Sequence, residues 1–354
     1  MDRRIFVASG LASGLMGTQS RAFDSDGFYV PAEDVPHEKT LMQWPVSPAV
    51  YGDDWFFLGQ VQDTIADIAN TIAAFEPVVM LADASEHRRA RRKLSDGVAL
   101  WDIPTEDLWA RDSGPIVAVN DRGDRIVRHI QFNGWGNKQP HRNDARIAER
   151  AAAMLGFEIR PTGLKGEAGG VEQDGHGTLI AHESSWVIAN RNRGLTRTVI
   201  EDRLLRSYGA DRMIWAPGVK GLDITDYHID SLVRFTAPGR VLMNLPRTAR
   251  NTDPFYRAAI QTRDAIAAAG LRITVIPEPD YPRIEDPEFV ASYVNFYVCN
   301  GAVIAPQFGD RETDTAARDA LSRAFPNREI VMLNTDPLGQ LGGGIHCATQ
   351  QIPA

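Results

Sequence analysis

The chain has 354 residues, 43% of them hydrophobic and 24% charged, which is enough apolar material to bury a substantial core. Its 38 lysines and arginines are outnumbered by 46 aspartates and glutamates, so the formal net charge is −8. An acidic chain without a long basic stripe is not built to bind a phosphate backbone, which argues against a nucleic-acid partner, whereas it does attract small cations.

The N-terminal segment, residues 1–22, reads MDRRIFVASGLASGLMGTQSRA. Arg3 and Arg4 precede a weakly apolar run and then Ser-Arg-Ala, a pattern that resembles a twin-arginine export signal. The run is too short to span a bilayer, which takes about 20 residues. We therefore predict a periplasmic or secreted protein, with residues 23–354 as a single domain and no stable membrane insertion. A frayed N-terminal helix on a cytoplasmic protein is the alternative.

The two cysteines, Cys299 and Cys347, are too few for a disulfide scaffold. Cys299 lies in the apolar run NFYVCNGAVIAP, where it is expected to pack as a small hydrophobe. We expect both thiols to be free.

Apolar residues spaced three and four apart predict five helices, each followed by a short β-branched run that predicts a strand. The helical patterns lie at Val61–Ile72, at Ile147–Leu155, and at about 195–207, 253–268 and 313–325. The predicted strands are VVML (78–81), FEIRP (157–161), RMIWA (212–216), RITVI (272–276) and EIVML (329–333).

A polar, glycine-bearing segment follows each predicted strand: LWARDSGP, LKGEAGG, LDITDYHID, VASYVNF and LGGGIHC. Hairpins are predicted after four of them, most clearly at 116–130 and at TLIAHESSWVIAN (178–190). One unit thus repeats five times, at intervals of roughly 50–70 residues. Five such units would close into a ring without exposed sheet edges, with the polar segments facing a common centre. The early strand TLMQWP (40–45) is predicted to complete the last unit.

Three of the polar segments carry reactive groups. His228 and Asp230 are two residues apart, so they point to one side of an extended backbone. Asp112 lies near Trp109, and Cys347 follows three glycines that let the backbone approach a ligand closely.

These residue types fit together chemically. A cysteine nucleophile needs thiolate character and a histidine that moves protons. Two carboxylates in one pocket repel each other unless a cation lies between them, and a planar guanidinium matches two carboxylates bidentately. The set therefore favours attack of a thiol on the carbon of a bound guanidinium.

Other interpretations of the same residues stay open at this point. His228 and Asp230 could bind a metal together with Asp223 and Asp226, although no second histidine has convincing spacing. Cys347 could be an inert buried thiol, and Asp112 could form a turn or a helix cap. The remaining histidines of interest, His176, His182 and His346, are assigned structural roles.

The segments LWARDSGP, EAGG, DITDYHID, SYVNFYVCNG and LGGGIHCATQQ, in this order from about residue 36 to the end, resemble the agmatine deiminase and bacterial peptidylarginine deiminase family of the guanidine-modifying superfamily. The resemblance implies an α/β fold: a five-bladed propeller with pseudo-fivefold symmetry, in which ββαβ modules surround a central active site. It implies no metal and no organic cofactor.

The resemblance also implies roles for individual residues. Cys347 matches the nucleophile, His228 the general acid and base, and Asp112 and Asp230 the carboxylates that hold the guanidinium. The further substrate-binding positions implied are Trp109, Glu167, Asn295 and Gly344.

The implied reaction is hydrolysis of a small cationic guanidine to a ureido group plus ammonia, with agmatine giving N-carbamoylputrescine as the favoured case. An exported peptidylarginine or other guanidine deiminase and an amidinotransferase are alternatives, and a non-catalytic guanidine- or polyamine-binding module is an alternative of another class. The run EAGGVEQDGHG departs from the usual family pattern at Ala168 and Glu172, which leaves the substrate open, as it is also open whether the chain forms a homo-oligomer.

Overall fold

The strands form several small mixed sheets. A computed structural model describes residues 27–354, and the predicted export signal, residues 1–22, lies outside this part of the chain. In the described residues there are five sheets, four with three strands and one with four. No helix within the same range is both long enough and apolar enough to cross a bilayer.

Sixteen strands and twelve α-helices alternate along residues 27–354. The strands are β1 (His37–Gln43), β2 (Val78–Ala82), β3 (Val98–Asp102), β4 (Ile116–Val119), β5 (Arg125–Gln131), β6 (Glu158–Lys165), β7 (Val171–Gln173), β8 (Thr178–His182), β9 (Arg212–Ala216), β10 (Val233–Ala237), β11 (Arg240–Leu245), β12 (Arg272–Pro277), β13 (Tyr297–Cys299), β14 (Ala302–Gln307), β15 (Glu329–Asn334) and β16 (Gln350–Pro353). The helices are α1 (Pro48–Tyr51), α2 (Trp55–Ile72), α3 (His87–Ala90), α4 (Ala110–Ser113), α5 (Gly134–Asn137), α6 (Ile147–Leu155), α7 (Glu183–Trp186), α8 (Ala189–Asn192), α9 (Arg197–Tyr208), α10 (Pro254–Ala268), α11 (Arg311–Ala324) and α12 (Asp336–Gln340). Single 3₁₀ turns lie at Asp144–Arg146, Ala168–Gly170 and Ile229–Ser231.

Four of the sheets are built from the same unit, in which two antiparallel strands are followed by a helix and by a third strand parallel to the second. These sheets are β4–β5–β6, β7–β8–β9, β10–β11–β12 and β13–β14–β15. The five predicted strands are found as β2, β6, β9, β12 and β15, and the five predicted helices as α2, α6, α9, α10 and α11. The predicted repeat is therefore confirmed.

The fifth sheet combines strands from opposite parts of the sequence, in the order β16–β1–β2–β3. Thr40 in β1 lies opposite Gln351 of the antiparallel strand β16 and opposite Val78 of the parallel strand β2. The prediction that the early strand completes the last unit is confirmed. β3, which extends this sheet, was not predicted.

Helix α2 shows how local sequence produces these elements. The Asp54 side chain accepts a hydrogen bond from the N–H of Phe57 and so caps the first turn. The predicted stripe of Val61, Ile65, Ile68 and Ile72 is fully buried. Burial of each large aliphatic side chain contributes about 1.5–3 kcal/mol to stability, and this contribution holds α2 against the neighbouring sheet.

The predicted hairpin over residues 178–190 is wrong. Its first half is β8, but Glu183–Trp186 form α7, and the antiparallel partner of β8 is β7. The turn lies earlier, in the segment DGHG (174–177), where Asp174 Oδ1 accepts the N–H of His176 at 2.8 Å and of Thr178 at 2.9 Å. A capping carboxylate and two glycines make a stronger turn signal than Glu-Ser-Ser.

The predicted ring without sheet edges also needs correction. The five sheets are separate, and no closed sheet is found in the described residues. The repeat instead places its polar segments at an equivalent position, directly before the first strand of each antiparallel pair. Asp112 precedes β4, Glu167 precedes β7, His228 and Asp230 precede β10, Asn295 precedes β13, and Cys347 precedes β16.

Candidate active site

Three of the polar segments meet at Gly169. A Cβ atom added to this glycine would lie 2.7 Å from Asp112 Oδ1, 2.9 Å from His228 Nδ1 and 3.1 Å from Asp230 Oδ2. Asp230 Oδ2 also accepts a hydrogen bond from the thiol of Cys347 at 3.5 Å. Two carboxylates and an imidazole therefore surround a space that a side chain on residue 169 would fill, and the thiol of Cys347 is bonded to one of these carboxylates.

Asp112 is buried and lies in α4, directly before the sheet β4–β5–β6. Its Oδ2 accepts a hydrogen bond from Trp135 Nε1 at 2.9 Å, and its Oδ1 accepts one from the N–H of Gly169 at 3.3 Å. Burial raises the pKa of Asp112 to about 6; the His228 charge opposes this rise, and the Glu167 carboxylate adds to it.

Trp135, which the sequence prediction missed, reaches Asp112 from a strained loop. Gly134, Trp135 and Gly136 have φ values of +62°, +53° and +86°. The left-handed region is unusual for a bulky residue such as tryptophan, and such strain often accompanies a functional contact. The flanking glycines are the only local signal for it.

His228 lies between two carboxylates. Its Nδ1 is 3.7 Å from Asp112 Oδ1, and its Nε2 is 3.2 Å from Glu167 Oε2. Burial disfavours the charged ring, but the Asp112 and Glu167 carboxylates outweigh burial and raise the pKa of His228 to about 9. The ring is therefore an imidazolium at neutral pH.

Glu167 is held behind His228 by Arg191. Arg191 Nε donates to Glu167 Oε2 at 2.8 Å, while another nitrogen of the same guanidinium donates to Asp226 Oδ2 at 2.7 Å. Burial would raise the pKa of Glu167, but Arg191 and His228 together lower it. Glu167 thus contributes a fixed negative charge next to His228, and both of its oxygens accept bonds from Arg191.

The residues considered for a metal site do not come together. Asp226 Oδ2 is paired with Arg191 and also with Lys138 Nζ at 2.7 Å. Asp223 accepts the backbone N–H of Tyr227. Among residues 27–354, no three or more His, Cys, Asp or Glu side chains are grouped so as to hold a metal ion.

Cys347 is positioned by Asn295. The Asn295 side-chain amide donates to Cys347 Sγ at 3.2 Å, and its carbonyl oxygen accepts the Cys347 N–H at 3.3 Å. Cβ atoms on the preceding glycines would collide with neighbours, Gly344 with Asn295 Oδ1 at 2.6 Å and Gly343 with the Trp109 ring at 2.5 Å. The glycines therefore let this loop approach Asn295 and Trp109 closely.

The thiol of Cys347 is protonated in the free protein. Removal from water, followed by the charges of Asp230 and Asp112, raises its pKa well above the usual value. Cys299 differs: it is fully buried, donates to the carbonyl of Ala302, and lies outside this cluster. Both cysteines are free, as predicted.

The two carboxylate oxygens of Asp230 differ in their hydrogen bonding. His346 Nδ1 donates to Oδ2 at 2.7 Å, whereas Oδ1 is buried and has no hydrogen-bond partner among the described residues. Burial would raise the pKa of Asp230, but the His346 hydrogen bond and charge lower it. A buried, ionised carboxylate oxygen without a donor is costly, and a bound cation with N–H groups would satisfy it.

The structure thus brings six of the predicted residues into two groups that meet at Gly169: Asp112, His228 and Glu167 in one, and Asp230, Cys347 and Asn295 in the other. Gly344 packs against Asn295, and the Trp109 ring packs against the neighbouring Gly343. The sequence prediction missed Gly169, Trp135 and Arg191, and it gave His346 only a structural role. Of these, His346 alone had a clear signal, because it directly precedes Cys347.

Comparison with known proteins agrees with this geometry. A model of the Porphyromonas-type peptidyl-arginine deiminase family matches residues 29–353. The agmatine deiminase of Pseudomonas aeruginosa is 36% identical, over 93% of this chain and 96% of its own. The solved agmatine deiminase of Enterococcus faecalis superposes with a TM-score of 0.85 at 28% identity, covering 93% of this chain and 97% of that one. By the extent of these matches, the chain belongs to the Porphyromonas-type peptidyl-arginine deiminase family.

Proposed function

We propose that the protein hydrolyses a guanidinium group to a ureido group and ammonia through a covalent intermediate on Cys347, with agmatine as the substrate. The observation that carries the proposal is the convergence of Asp112, His228 and Asp230 beside the thiol that hydrogen-bonds Asp230. The full-length similarity to agmatine deiminases supports the choice of substrate over peptidylarginine.

Asp112 and Asp230 would hold the guanidinium. Asp230 Oδ1 offers a buried acceptor without a donor, and Asp112 Oδ1 has only a long bond of 3.3 Å from the Gly169 N–H. Guanidinium N–H groups would complete both carboxylates with charge-assisted bonds. Orientation of this kind can lower a barrier by about 7 kcal/mol at best.

Substrate binding would activate the thiol. Burial is the largest cause of the raised pKa of Cys347, and Asp230 and Asp112 add to it, so a cation placed between these carboxylates removes their contribution and lowers the pKa. Cys347 would then release its proton to water when a guanidinium is bound, because His228 is already protonated. Asn295 Nδ2, at 3.2 Å from the sulfur, would donate to the thiolate that forms.

His228 would move the protons of the reaction. The thiolate attacks the guanidinium carbon, and the C–N bond breaks as the His228 imidazolium gives its proton to the departing nitrogen, which leaves as ammonia. Neutral His228 then takes a proton from water as the water oxygen attacks the amidino-thioether carbon. The C–S bond breaks as the hydroxyl proton of the tetrahedral adduct passes to the leaving sulfur, which releases the ureido product and restores the Cys347 thiol. The proton that Cys347 gave up at the start leaves with ammonia as ammonium. Proton transfer of this kind contributes a factor of about 10²–10⁴.

A substrate panel tests the proposal. Purified protein incubated with agmatine, free arginine or an arginyl peptide is assayed for ammonia, and the agmatine reaction also for N-carbamoylputrescine. We expect release from agmatine with kcat/KM well above that of the other two. Binding of agmatine without ammonia release would instead indicate a non-catalytic binding module, and preference for the peptide would contradict the assigned substrate.

We further propose that the five sheets are blades of an α/β propeller around this site. The recurring unit and the equivalent position of the site residues within it support this arrangement. In a crystal structure, successive units should then be related by rotations of about 72° around one axis. Units that cannot be superposed in this way would contradict the proposal.

Export through the twin-arginine route is likewise proposed, on the pattern around Arg3 and Arg4. The unaltered chain should appear in the periplasmic fraction, and a variant with both Arg3→Lys and Arg4→Lys should stay in the cytoplasm. Equal cytoplasmic retention of both proteins would contradict export.

A further inference from the structure

We propose that His346, held from behind by Glu33, is a positioning residue that fixes Asp230 as an anion with Oδ1 directed at the guanidinium. The inference rests on the proposed function, since it names how one of the two substrate-binding carboxylates is prepared. His346 does not contact the substrate itself, because both of its ring nitrogens are engaged with protein carboxylates.

The geometry of His346 is that of a charged bridge. Nδ1 lies 2.7 Å from Asp230 Oδ2, and Nε2 lies 3.0 Å from Glu33 Oε2. Donation to a carboxylate from each nitrogen requires a proton on both, so the ring that makes these two bonds is an imidazolium. Such charge-assisted bonds are about twice as strong as neutral ones. At 3% exposure, His346 is shielded from water that would weaken them.

Glu33 is a firmly held anion. Its Oε2 accepts from Arg111 at 3.0 Å, and its Oε1 accepts from Arg234 at 2.8 Å and from the N–H of Val298 at 2.9 Å. Burial would raise the pKa of Glu33, but Arg234, His346 and Arg111 hold it well below its usual value. Glu33 can therefore keep its negative charge against His346 over the whole working pH range.

Glu33, Arg111, Arg234 and His346 form what we call the rear cluster. Arg111 directly precedes Asp112, and its backbone N–H donates to the carbonyl of Cys347 at 3.0 Å. All four residues line a cavity of about 130 Å³ that does not include Cys347, His228 or Asp112. The cluster thus lies behind the reacting groups and contacts the loops that carry them.

Glu172, one of the two residues in the run EAGGVEQDGHG that depart from the family pattern, lies next to the rear cluster. Glu172 is buried, lies 2.7 Å from Arg234 Nε, and accepts the N–H of Phe235. Glu172 faces Nε of Arg234, whereas Glu33 accepts from Nη2 of the same guanidinium. Glu172 is therefore linked to the rear cluster through Arg234.

These contacts predict how loss of His346 would affect the ionisation of Asp230. Asp230 is faced by the charges of His346, His228 and Arg234 and by the thiol of Cys347, and His346 contributes most to keeping it ionised. Without the imidazolium, burial would favour the protonated carboxyl, and the carboxyl would be free to rotate. The loss would then be visible in the pH dependence of the reaction as well as in its rate.

The test uses the full chain with three variants: His346→Gln, Glu33→Gln and, as a control, Asp314→Asn. Glutamine at 346 keeps an N–H donor but removes the charge. Asp314 is a structural carboxylate that accepts from the N–H groups of Phe308 and Gly309, remote from the rear cluster. Each protein is assayed for kcat and KM with agmatine between pH 5 and 10, and for thermal unfolding.

We expect His346→Gln to raise KM and to lower kcat/KM at pH 7 about tenfold or more. Its acidic limb, which Asp112 sets near pH 6 in the wild type, should move to higher pH because Asp230 then ionises in the same range. Glu33→Gln should act in the same direction with a smaller shift. Asp314→Asn should lower the unfolding temperature and leave the acidic limb in place. An unchanged acidic limb in both His346→Gln and Glu33→Gln would overturn the proposal. If only one of the two variants folds, the acidic limb of that variant decides whether the proposal stands.

Two measurements separate this inference from the proposed function. Agmatine binding to Cys347→Ser is measured by calorimetry with and without His346→Gln, and the second substitution should weaken binding about tenfold. Nitrogen-15 NMR of labelled histidines should show protons on both ring nitrogens of His346 at pH 7. Absence of ammonia release in the wild type would refute the deiminase, whereas a His346 ring with a single proton, or unchanged agmatine affinity, would refute the positioning role.

Discussion

Two histidines of this protein each lie between two carboxylates, but their contacts differ in length. His228 is 3.7 Å from Asp112 and 3.2 Å from Glu167, and the space beside it is kept open by Gly169. These distances exceed those of a short charge-assisted bond. The Nδ1 proton of His228 is therefore not engaged in a short bond, and the open space at Gly169 lets a ligand reach it.

His346, in contrast, is 2.7 Å from Asp230 and 3.0 Å from Glu33, and the cavity that it lines does not include Cys347, His228 or Asp112. Both of its protons are engaged in short bonds to fixed anions. A histidine between two carboxylates is therefore suited either to transfer a proton or to hold a charge in place. The length of its contacts and its access to a ligand decide between the two.

The largest expected effect comes from Cys347, whose thiol is bonded to the same Asp230 oxygen as His346. Cys347→Ser should abolish ammonia release, because an alcohol is a far weaker nucleophile here, and should leave agmatine binding within about threefold of wild type. Cys299→Ser is the matched control, since that thiol is buried and remote from the site, and it should retain turnover. Wild-type rates in Cys347→Ser would refute the nucleophile assignment.

His228→Gln sharpens the contrast with His346→Gln. Loss of the proton donor should lower kcat by about 10²–10⁴ with little change in agmatine affinity, whereas His346→Gln should affect KM and the acidic limb. Steady-state kinetics on both variants gives the comparison. Equal losses with the same division between kcat and KM would mean that the two rings do not have different roles.

Gly169→Ala would fill the space beside His228 that Gly169 leaves free. The added methyl group would lie within 3.1 Å of Asp112, His228 and Asp230 and would displace them, so kcat/KM should fall about 100-fold. Gly59→Ala is the control, because no atom lies within 4 Å of its added Cβ and alanine favours the helix there. Full activity in Gly169→Ala would place the substrate elsewhere.

The smallest effect is a shift of the pH profile. In the wild type, kcat/KM should rise as Asp112 ionises near pH 6 and fall as His228 loses its proton near pH 9. Glu167 raises the pKa of both groups, so Glu167→Gln should move both limbs to lower pH. A basic limb that stays in place would show that it does not report His228.

The repeat and the residues that the structure gathers around Gly169 could be predicted from the sequence because they are periodic or chemically distinctive. The pattern of β-branched runs located β2, β6, β9, β12 and β15, and a single cysteine beside glycines drew attention to the last loop. The hairpin at 178–190 was misplaced because the apolar residues Trp186, Val187 and Ile188 imitate a strand, although they lie at the end of α7 and in the bend before α8.

Supporting residues could not be predicted in the same way. Glu33, Arg191 and Arg234 are single charged residues in unremarkable surroundings, and a charged residue is exposed far more often than buried. Their importance comes from partners 24 to more than 200 positions away, such as Arg191 with Glu167 and Arg234 with Glu33. No spacing rule relates such positions before the fold is known.

The protonated thiol of Cys347 has a practical consequence for inhibitors and for oxidative damage. Peroxides and neutral alkylating agents react with thiolates, so the resting protein should resist them. An electrophile that carries an amidinium would supply the missing positive charge between Asp112 and Asp230 and create the thiolate it then traps. Selectivity in such a reagent would come from its charge, before any fit to the rest of the pocket.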